Sequence, residues 1–199
     1  MLDTVKKNLE EKGYRVSVFE SSDAAVSYLA KEIDGVSVGF GGSMTVKELG
    51  LCEKLSENNE VYYHGACPPG MTPKEVIAKA AAAEVYVSSV NALAETGEIV
   101  NIDGNCNRVA SIMHGHARVY LVVGVNKIAV TVDAAIDRAR NVSAPKNAKR
   151  LGKNTPCVTA GRCMNCSSPE RICRALSLLY CAPSATKIEV VLIQEELGD

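Results

Sequence analysis

Residues 36–55 read VSVGFGGSMTVKELGLCEKL, so a short apolar run, a glycine pair and a helix-forming stretch follow one another directly. The apolar run Val36–Phe40 predicts a small buried strand, and the residues after the glycines predict a helix to about Leu55. Glycines permit the tight turn between the two, and N–H groups at a helix start can bind an anion together with nearby hydroxyls. The candidate ligand-binding residues of this turn are Gly41, Gly42, Ser43 and Thr45.

The turn fits no standard nucleotide-binding motif. It lacks the lysine of a Walker loop and the spacing of a dinucleotide fingerprint. The alternative interpretation is a glycine-rich turn with a serine cap and no ligand.

Strand and helix patterns alternate along the rest of the chain. Apolar runs at Val85–Val90, Arg118–Val125 and Lys187–Gln194 predict strands, and the alanine-rich Lys74–Ala83 predicts a helix. Strands separated by helices favour an α/β fold with a mostly parallel sheet and helices on both faces. In such sheets, ligands bind at the carboxyl ends of the strands.

The chain of 199 residues suits a single domain, residues 1–199. Its N-terminal part, residues 2–35, is predicted to be mainly helical, with a short strand at Tyr14–Phe19. Residues 144–182 lose strand character and accumulate Cys, Pro, Ser and Asn. They are predicted to form a cysteine-rich appendage before the last strand.

Composition and charge exclude several classes of protein. The formal net charge of −1 gives no general attraction to nucleic acid or to an anionic membrane. Apolar runs are strand-sized, so no membrane insertion is expected, and the polar start of the chain is not a signal peptide. These features predict a cytoplasmic protein, in which the eight cysteines are reduced and are candidate ligands or catalytic groups before disulfides.

Polar residues of the middle segment are candidates for acid/base chemistry and for binding an anionic substrate. Glu95 and Asp103 could transfer protons, and Arg108 or Lys127 could pair with an anion. The alternative is that Thr96-Gly97 and Asp103-Gly104 are hairpin turns with solvated side chains. The candidate catalytic residues are Glu48, Glu95, Asp103 and Lys127, and the further ligand-binding candidates are Asn91, Thr96, Asn107, Arg108 and Asn126.

Four cysteines fall within one short, loop-rich stretch. Five residues separate Cys157 from Cys163, two separate Cys163 from Cys166, and six separate Cys166 from Cys173. Four thiolates suit tetrahedral zinc or an iron–sulfur cluster of the 4Fe–4S type. The alternatives are a ligand-free cluster of reduced thiols or a thiol pair that oxidises reversibly. Cys181, beyond this stretch, is a candidate for a spare or fifth ligand.

Four stretches together resemble the LUD-domain family, of the lactate-utilisation protein C type. They are GFGGSMTVKELGL (residues 39–51), SVNALAETGEIVNIDGNCNRVA (89–110), VVGVNKI (122–128) and TPCVTAGRCMNCSSPERIC (155–173). The resemblance implies a fold like the group of sugar-phosphate isomerases, deaminases and CoA-transferases, in which a turn such as Gly41–Thr45 holds phosphate. It also implies a role beside iron–sulfur partner subunits that oxidise L-lactate to pyruvate.

The sequence departs from a complete lactate-oxidising enzyme, because it has neither a ferredoxin-like domain nor a flavin motif. The function predicted is therefore a redox-linked protein of organic-acid metabolism that binds a small anionic substrate or phosphate-bearing ligand, with an iron–sulfur cluster for electron transfer. One alternative is a non-catalytic scaffold subunit of an iron–sulfur oxidoreductase complex. Another is an isomerase or transferase with a structural zinc. The chain could also form a homo-oligomer.

Overall fold

The computed structural model describes residues 2–198, and its helices and strands alternate as the sequence predicts. The strands are β1 (Arg15–Phe19), β2 (Ser37–Phe40), β3 (Glu60–Tyr62), β4 (Val85–Ser89), β5 (Ala92–Ala94), β6 (Ile99–Asp103), β7 (Arg118–Gly124), β8 (Ile128–Ala129), β9 (Ala175–Leu179) and β10 (Lys187–Ile193). The α-helices are α1 (Leu2–Glu11), α2 (Ser22–Glu32), α3 (Met44–Glu48), α4 (Leu51–Leu55), α5 (Pro73–Ala82), α6 (Asn107–Met113), α7 (Val132–Arg138), α8 (Ala144–Arg150) and α9 (Pro156–Ala160).

The main sheet of the described chain has six strands in the order β1-β10-β7-β4-β2-β3, and all its pairs are parallel. The central strands are buried on both faces. Along β7, Leu121 and Val123 belong to one apolar cluster, whereas Tyr120 and Val122 belong to the other, as the two-residue period of a strand requires. Helices α1 and α6 pack on the first face, and α2, α3 and α4 pack on the second. The predicted α/β fold with a mostly parallel sheet is confirmed.

A second, smaller sheet has the order β8-β5-β6-β9. Strands β5 and β6 form an antiparallel hairpin whose turn contains Thr96 and Gly97. Gly97 has a φ of 96°, a conformation that favours glycine. The alternative interpretation of Thr96-Gly97 as a hairpin turn is therefore correct.

The prediction that strand character disappears in residues 144–182 is wrong. Residues Ala175–Leu179 form β9, which pairs antiparallel with β6. Residues Ala144–Arg150 form α8, which continues α7 through a π-helical turn at Ala139–Ser143. The segment ALSLL is too short to be identified as a strand by its pattern, and it becomes one because β6 supplies hydrogen-bonding partners.

The prediction of a single helix after the glycine turn is also wrong. This segment is divided into α3 and α4 at Gly50, whose φ of 60° cannot continue a right-handed helix.

In the described part of the chain, no helix has the length and apolar character that crossing a membrane requires.

Candidate functional site

A cavity of about 510 Å³ lies at the carboxyl ends of the central strands, where α/β sheets bind ligands. Its wall combines the turn after β2, the end of β4, the start of α6, the turn after β7, α8 and the cysteine-containing loop. We call it the polar cavity. Its polar lining residues are Ser43, His64, Ser89, Asn91, Asp103, Asn105, Asn107, Arg108, Lys127, Ser143, Asn147, Arg150, Lys153, Glu170, Arg171 and Arg174.

The two glycines of the turn after β2 have different surroundings. A Cβ atom on Gly41 would lie 2.6 Å from the Ser88 hydroxyl and 2.9 Å from the Tyr86 hydroxyl, so this glycine allows close packing beneath the turn. Gly42 lies in the cavity wall, and a Cβ atom there would meet nothing closer than His64 at 3.5 Å. Ser43 also lines the cavity and caps α3 by accepting a 3.3 Å hydrogen bond from an N–H group of the first turn.

Lys127 brings a buried ammonium group to the cavity. The strand β7 ends at Gly124, and a turn of 3₁₀ helix then places Lys127 beside the ends of the other strands. Only 4% of the residue is exposed. Its Nζ donates to the Thr45 hydroxyl at 2.7 Å and to the Ser89 hydroxyl at 2.9 Å. Hydrogen bonds of this kind offset the cost of burying a charge.

Arg108 lines the same cavity, but its guanidinium binds the protein itself. One terminal nitrogen donates to the Ser89 carbonyl at 3.0 Å and to Asn101 Oδ1 at 2.7 Å. The other donates to Asn91 Oδ1 at 2.9 Å and to the Ile102 carbonyl at 2.8 Å. Burial lowers the pKa of Arg108. The side chain connects the end of β4 to β6 and has little donor capacity left for a ligand.

Asp103, the last residue of β6, holds the start of α6. Its Oδ1 accepts hydrogen bonds from the N–H groups of Asn105 and Cys106 at 3.2 and 3.1 Å. Its Oδ2 accepts from the N–H of Val109 at 3.2 Å and lies 4.0 Å from Nε of Arg108. These contacts give the carboxylate a structural role in addition to its place in the cavity wall.

Several predicted site residues lie outside the cavity wall. Glu48 accepts a 2.7 Å hydrogen bond from the N–H of Gly198, and Asn126 exchanges hydrogen bonds with the backbone of Leu197. Both therefore hold the C-terminal residues. Glu95 and Thr96 lie in the β5–β6 hairpin, where the Thr96 hydroxyl donates to Glu98. The predicted residues that the structure brings together are Gly42, Ser43, Asn91, Asp103, Asn107, Arg108 and Lys127, with Thr45 bonded to Lys127.

Sequence reasoning missed the most positively charged part of the wall. Arg150 lies at the end of α8, Lys153 follows it, and Arg171 and Arg174 flank the last cysteine of the motif. Their only sequence signal is proximity to that motif. His64 was also missed; burial lowers its pKa, so the ring is uncharged at neutral pH.

The four predicted metal ligands line one cavity of about 330 Å³, which we call the cysteine cavity. Cys157, Cys163, Cys166 and Cys173 all belong to its wall. Cys163 Sγ accepts from the N–H of Asn165 at 3.4 Å and lies 4.0 Å from a guanidinium nitrogen of Arg140. Cys157 Sγ lies 3.2 Å from the Thr155 hydroxyl.

The arrangement of the thiols bears on which metal group they could hold. Across residues 2–198, no three Cys, His, Asp or Glu side chains are close enough to share a single metal ion. Zinc needs four ligands that converge on one point, with Zn–S distances of about 2.3 Å. A cluster of several iron and sulfide atoms instead needs thiolates arranged around a space. In the described part of the chain, the four cysteines line one cavity.

The polar cavity and the cysteine cavity share a wall. Arg171 donates to the carbonyl of Cys166 at 2.7 Å and to that of Cys173 at 2.8 Å, while its side chain also lines the polar cavity. The cysteine motif therefore lies beside the cavity at the carboxyl ends of the strands. The residues common to both walls are Ile102, Ala144, Arg171, Ile172 and Arg174.

Comparisons with known proteins agree with this fold. The family model described as LUD domain matches residues 2–193. The chain is similar in structure to a DUF162 family protein from Deinococcus radiodurans, at 13% sequence identity and a TM-score of 0.54, over 96% of this chain and 95% of that chain. This likeness shows the fold alone. Similarity to eIF2B beta from Chaetomium thermophilum is weak, with a TM-score of 0.33 and 14% identity over 66% of this chain and 43% of that chain. No curated protein matches the sequence.

Proposed function

The chain belongs to the LUD-domain family, and from this premise we propose that it acts in organic-acid metabolism of the lactate type. It binds a small anionic ligand in the polar cavity and holds an iron–sulfur cluster on the four cysteines of the neighbouring cavity. The observation that carries the proposal is the wall that the two cavities share. A ligand site and an electron carrier must lie close together if electrons are to pass between them.

Charge supports an anionic ligand. Among residues 2–198, and apart from the Arg108 and Asp103 pair, the polar cavity is lined by five cationic side chains and by one acidic side chain, Glu170. A cavity lined mainly by one sign of charge raises the local concentration of ions of the opposite sign. The cationic residues are Lys127, Arg150, Lys153, Arg171 and Arg174.

Lys127 is the residue that best suits a carboxylate or phosphate oxygen. Its ammonium is held in place by Thr45 and Ser89, so little side-chain entropy is lost when a ligand binds. Ser43, in the same wall, offers a hydroxyl group. We infer that this end of the cavity, the floor, holds the acid group of the ligand.

The cysteine loop would supply the ligands of the cluster through Cys157, Cys163, Cys166 and Cys173. When bound, a cluster of this type carries single electrons, and hydrogen bonds to its sulfurs tune its potential. Arg140 and the N–H of Asn165 are placed to give such bonds to Cys163. Arg171 holds the loop by its carbonyl groups.

The test of the cluster is chemical analysis of anaerobically purified protein. Iron and acid-labile sulfide of about four each per chain are expected, with loss of both in Cys166→Ser. Cys181→Ser is the matched control, because Cys181 is exposed and lies outside the cavity wall. A content of about one zinc and no iron would instead favour the isomerase or transferase with a structural metal.

The test of the ligand site is calorimetric titration with L-lactate and with pyruvate. Binding of either acid supports a site for organic acids. If neither binds, but the loaded protein co-purifies with an iron–sulfur subunit, the scaffold alternative replaces the proposal.

A further inference from the structure

We propose that the opening of the polar cavity contains a second anion site, which binds the diphosphate group of a phosphorylated or nucleotide-type ligand. This inference rests on the proposed function only in using the same cavity. The site is the mouth cluster, defined as Arg150, Lys153, Arg171 and Arg174. It is separate from the buried floor at Lys127.

Exposure separates the two ends of the cavity. Lys127 is 4% exposed, whereas Arg150 and Arg174 are exposed and Lys153 and Arg171 are partly buried. The mouth cluster comes from two segments of the chain, the end of α8 with the residues after it and the loop that carries the last cysteine. Two segments therefore bring four cations to one opening.

The mouth cluster differs from Arg108, which lies 4.0 Å from a carboxylate oxygen. Within residues 2–198, no carboxylate forms an ion pair with any member of the mouth cluster. Glu170, the acidic residue in this part of the wall, instead accepts a 2.8 Å hydrogen bond from the backbone of Asn154. Like charges held together without counter-ions repel one another, and an anion that binds between them relieves that repulsion.

The mouth cluster also retains donors, in contrast to Arg108. Arg150 uses one terminal nitrogen in a 2.6 Å bond to Asn147. Arg171 donates hydrogen bonds to backbone carbonyl groups from Nε and from one terminal nitrogen, and Arg174 donates two bonds of the same kind. Each arginine thus keeps a terminal nitrogen with no hydrogen bond to another described residue. Planar guanidinium groups with available N–H groups suit phosphate oxygens.

The volume of the cavity points to a ligand larger than a three-carbon acid. Its 510 Å³ lies within the range of about 300–1,000 Å³ that is typical of sites for drug-sized molecules and cofactors. A ligand with an acid group near Lys127 and a diphosphate at the mouth cluster would occupy both ends. The chemistry that the mouth recognises is a pair of linked phosphates.

The experiment is calorimetric titration of the full chain with inorganic pyrophosphate, orthophosphate and L-lactate at several salt concentrations. Pyrophosphate is expected to bind more tightly than orthophosphate, and its affinity should fall as salt screens the charges. The double variant Arg150→Gln, Lys153→Gln should bind pyrophosphate about tenfold or more weakly, because it removes two charge-assisted contacts. Its affinity for L-lactate should fall by a much smaller factor, because Lys127 still binds the acid group.

Lys149→Gln is the matched control, since Lys149 is an exposed cation of the same helix outside the cavity wall. Circular dichroism will show that each variant is folded. The inference is overturned if pyrophosphate does not bind, or if the double variant and Lys149→Gln weaken it equally. If the protein binds lactate but not pyrophosphate, this inference fails and the proposed function stands. If it binds pyrophosphate but neither lactate nor pyruvate, the inference stands and the proposed organic-acid site fails.

Discussion

Lys127 donates a 2.7 Å hydrogen bond to the hydroxyl of Thr45, a residue 82 positions earlier in the chain. The bond joins the turn after β7 to the helix after β2, and a second bond reaches Ser89 at the end of β4. The carboxyl ends of three strands of the parallel sheet, or the segments that follow them, thus supply the buried ammonium group and its two hydroxyl partners. The position of this charge in the cavity wall makes it the first residue to test.

Replacing Lys127 by methionine should weaken the binding of small organic acids. The variant keeps an apolar stem of similar length, and the Ser89 and Thr45 hydroxyls, 3.4 Å apart, can bond each other. Loss of a charged partner should weaken binding about tenfold or more in calorimetry with L-lactate and pyruvate. Lys47→Met, on the exposed side of α3, is the control. Equal affinity of both variants and the wild type would rule out Lys127 as an anion ligand.

The two glycines of the turn after β2 should differ sharply in their tolerance of alanine. Gly41→Ala places a methyl group 2.6 Å from the Ser88 hydroxyl and 2.9 Å from Arg108, so it should lower the free energy of unfolding by about 1–3 kcal/mol. Gly42→Ala meets no atom closer than 3.5 Å and should change it by less than about 0.5 kcal/mol. Urea denaturation measures both. Similar losses would show that backbone conformation, and not packing, requires the glycines.

Asp103 should contribute to stability because its carboxylate accepts hydrogen bonds from the backbone at the start of α6. Asp103→Ala removes the acceptor of three backbone N–H groups and should lower the free energy of unfolding, measured by urea denaturation, by about 1–2 kcal/mol.

Glu95→Ala tests where the ligand binds, because Glu95 lies in the hairpin outside the cavity. It should leave ligand affinity unchanged. If instead Glu95→Ala abolishes binding, the ligand does not occupy the polar cavity.

Glu98 should make the protein more stable at neutral pH than in acid. Burial raises the pKa of Glu98, but hydrogen bonds from Thr96 and Lys12 outweigh this effect, so the net pKa lies below its ordinary value of 4.5. A carboxyl whose pKa is lower in the folded state stabilises the fold above its unfolded pKa, and this contribution is lost as the pH falls through the folded value. Thermal unfolding from pH 7 to pH 3 should therefore depend less on pH in Glu98→Gln.

The exposed Glu11, paired with Lys7 at 3.8 Å, provides the control for this titration. Glu11→Gln should retain the wild-type pH dependence, because exposed pairs contribute little. Identical curves for Glu98→Gln and the wild type would contradict the prediction.

Arg171 should be required to retain the cluster although it is not a ligand. It holds the carbonyls of Cys166 and Cys173, so Arg171→Gln should leave the loop less ordered and lower the iron content per chain after desalting. Arg162→Gln changes an exposed cation of the same loop outside both cavity walls and should retain wild-type iron. Full iron in Arg171→Gln would show that the loop is held by its other contacts.

The features that were predictable from the sequence are those encoded by neighbouring residues. The apolar runs of β4, β7 and β10, the glycine turn before α3 and the spacing of the cysteines are all local patterns. Periodicity reports which faces of a segment are buried, and parallel α/β topology then follows from the alternation of elements. Because the four cysteines lie within one short loop, their convergence on one cavity could also be expected.

Only the tertiary structure decided which loops meet and which polar groups retain hydrogen-bonding capacity. Arg108 and Arg150 are the same residue type, yet Arg108 bonds Ser89, Asn91, Asn101 and Ile102, whereas Arg150 bonds Asn147. No local pattern distinguishes them, because the acceptors around Arg108 come from β4 of the main sheet, from β6 of the second sheet and from Asn91 between β4 and β5. These segments meet only in the folded protein. Strand β9 and the shared wall of the two cavities have the same origin, since contacts between distant segments depend on packing and not on sequence period.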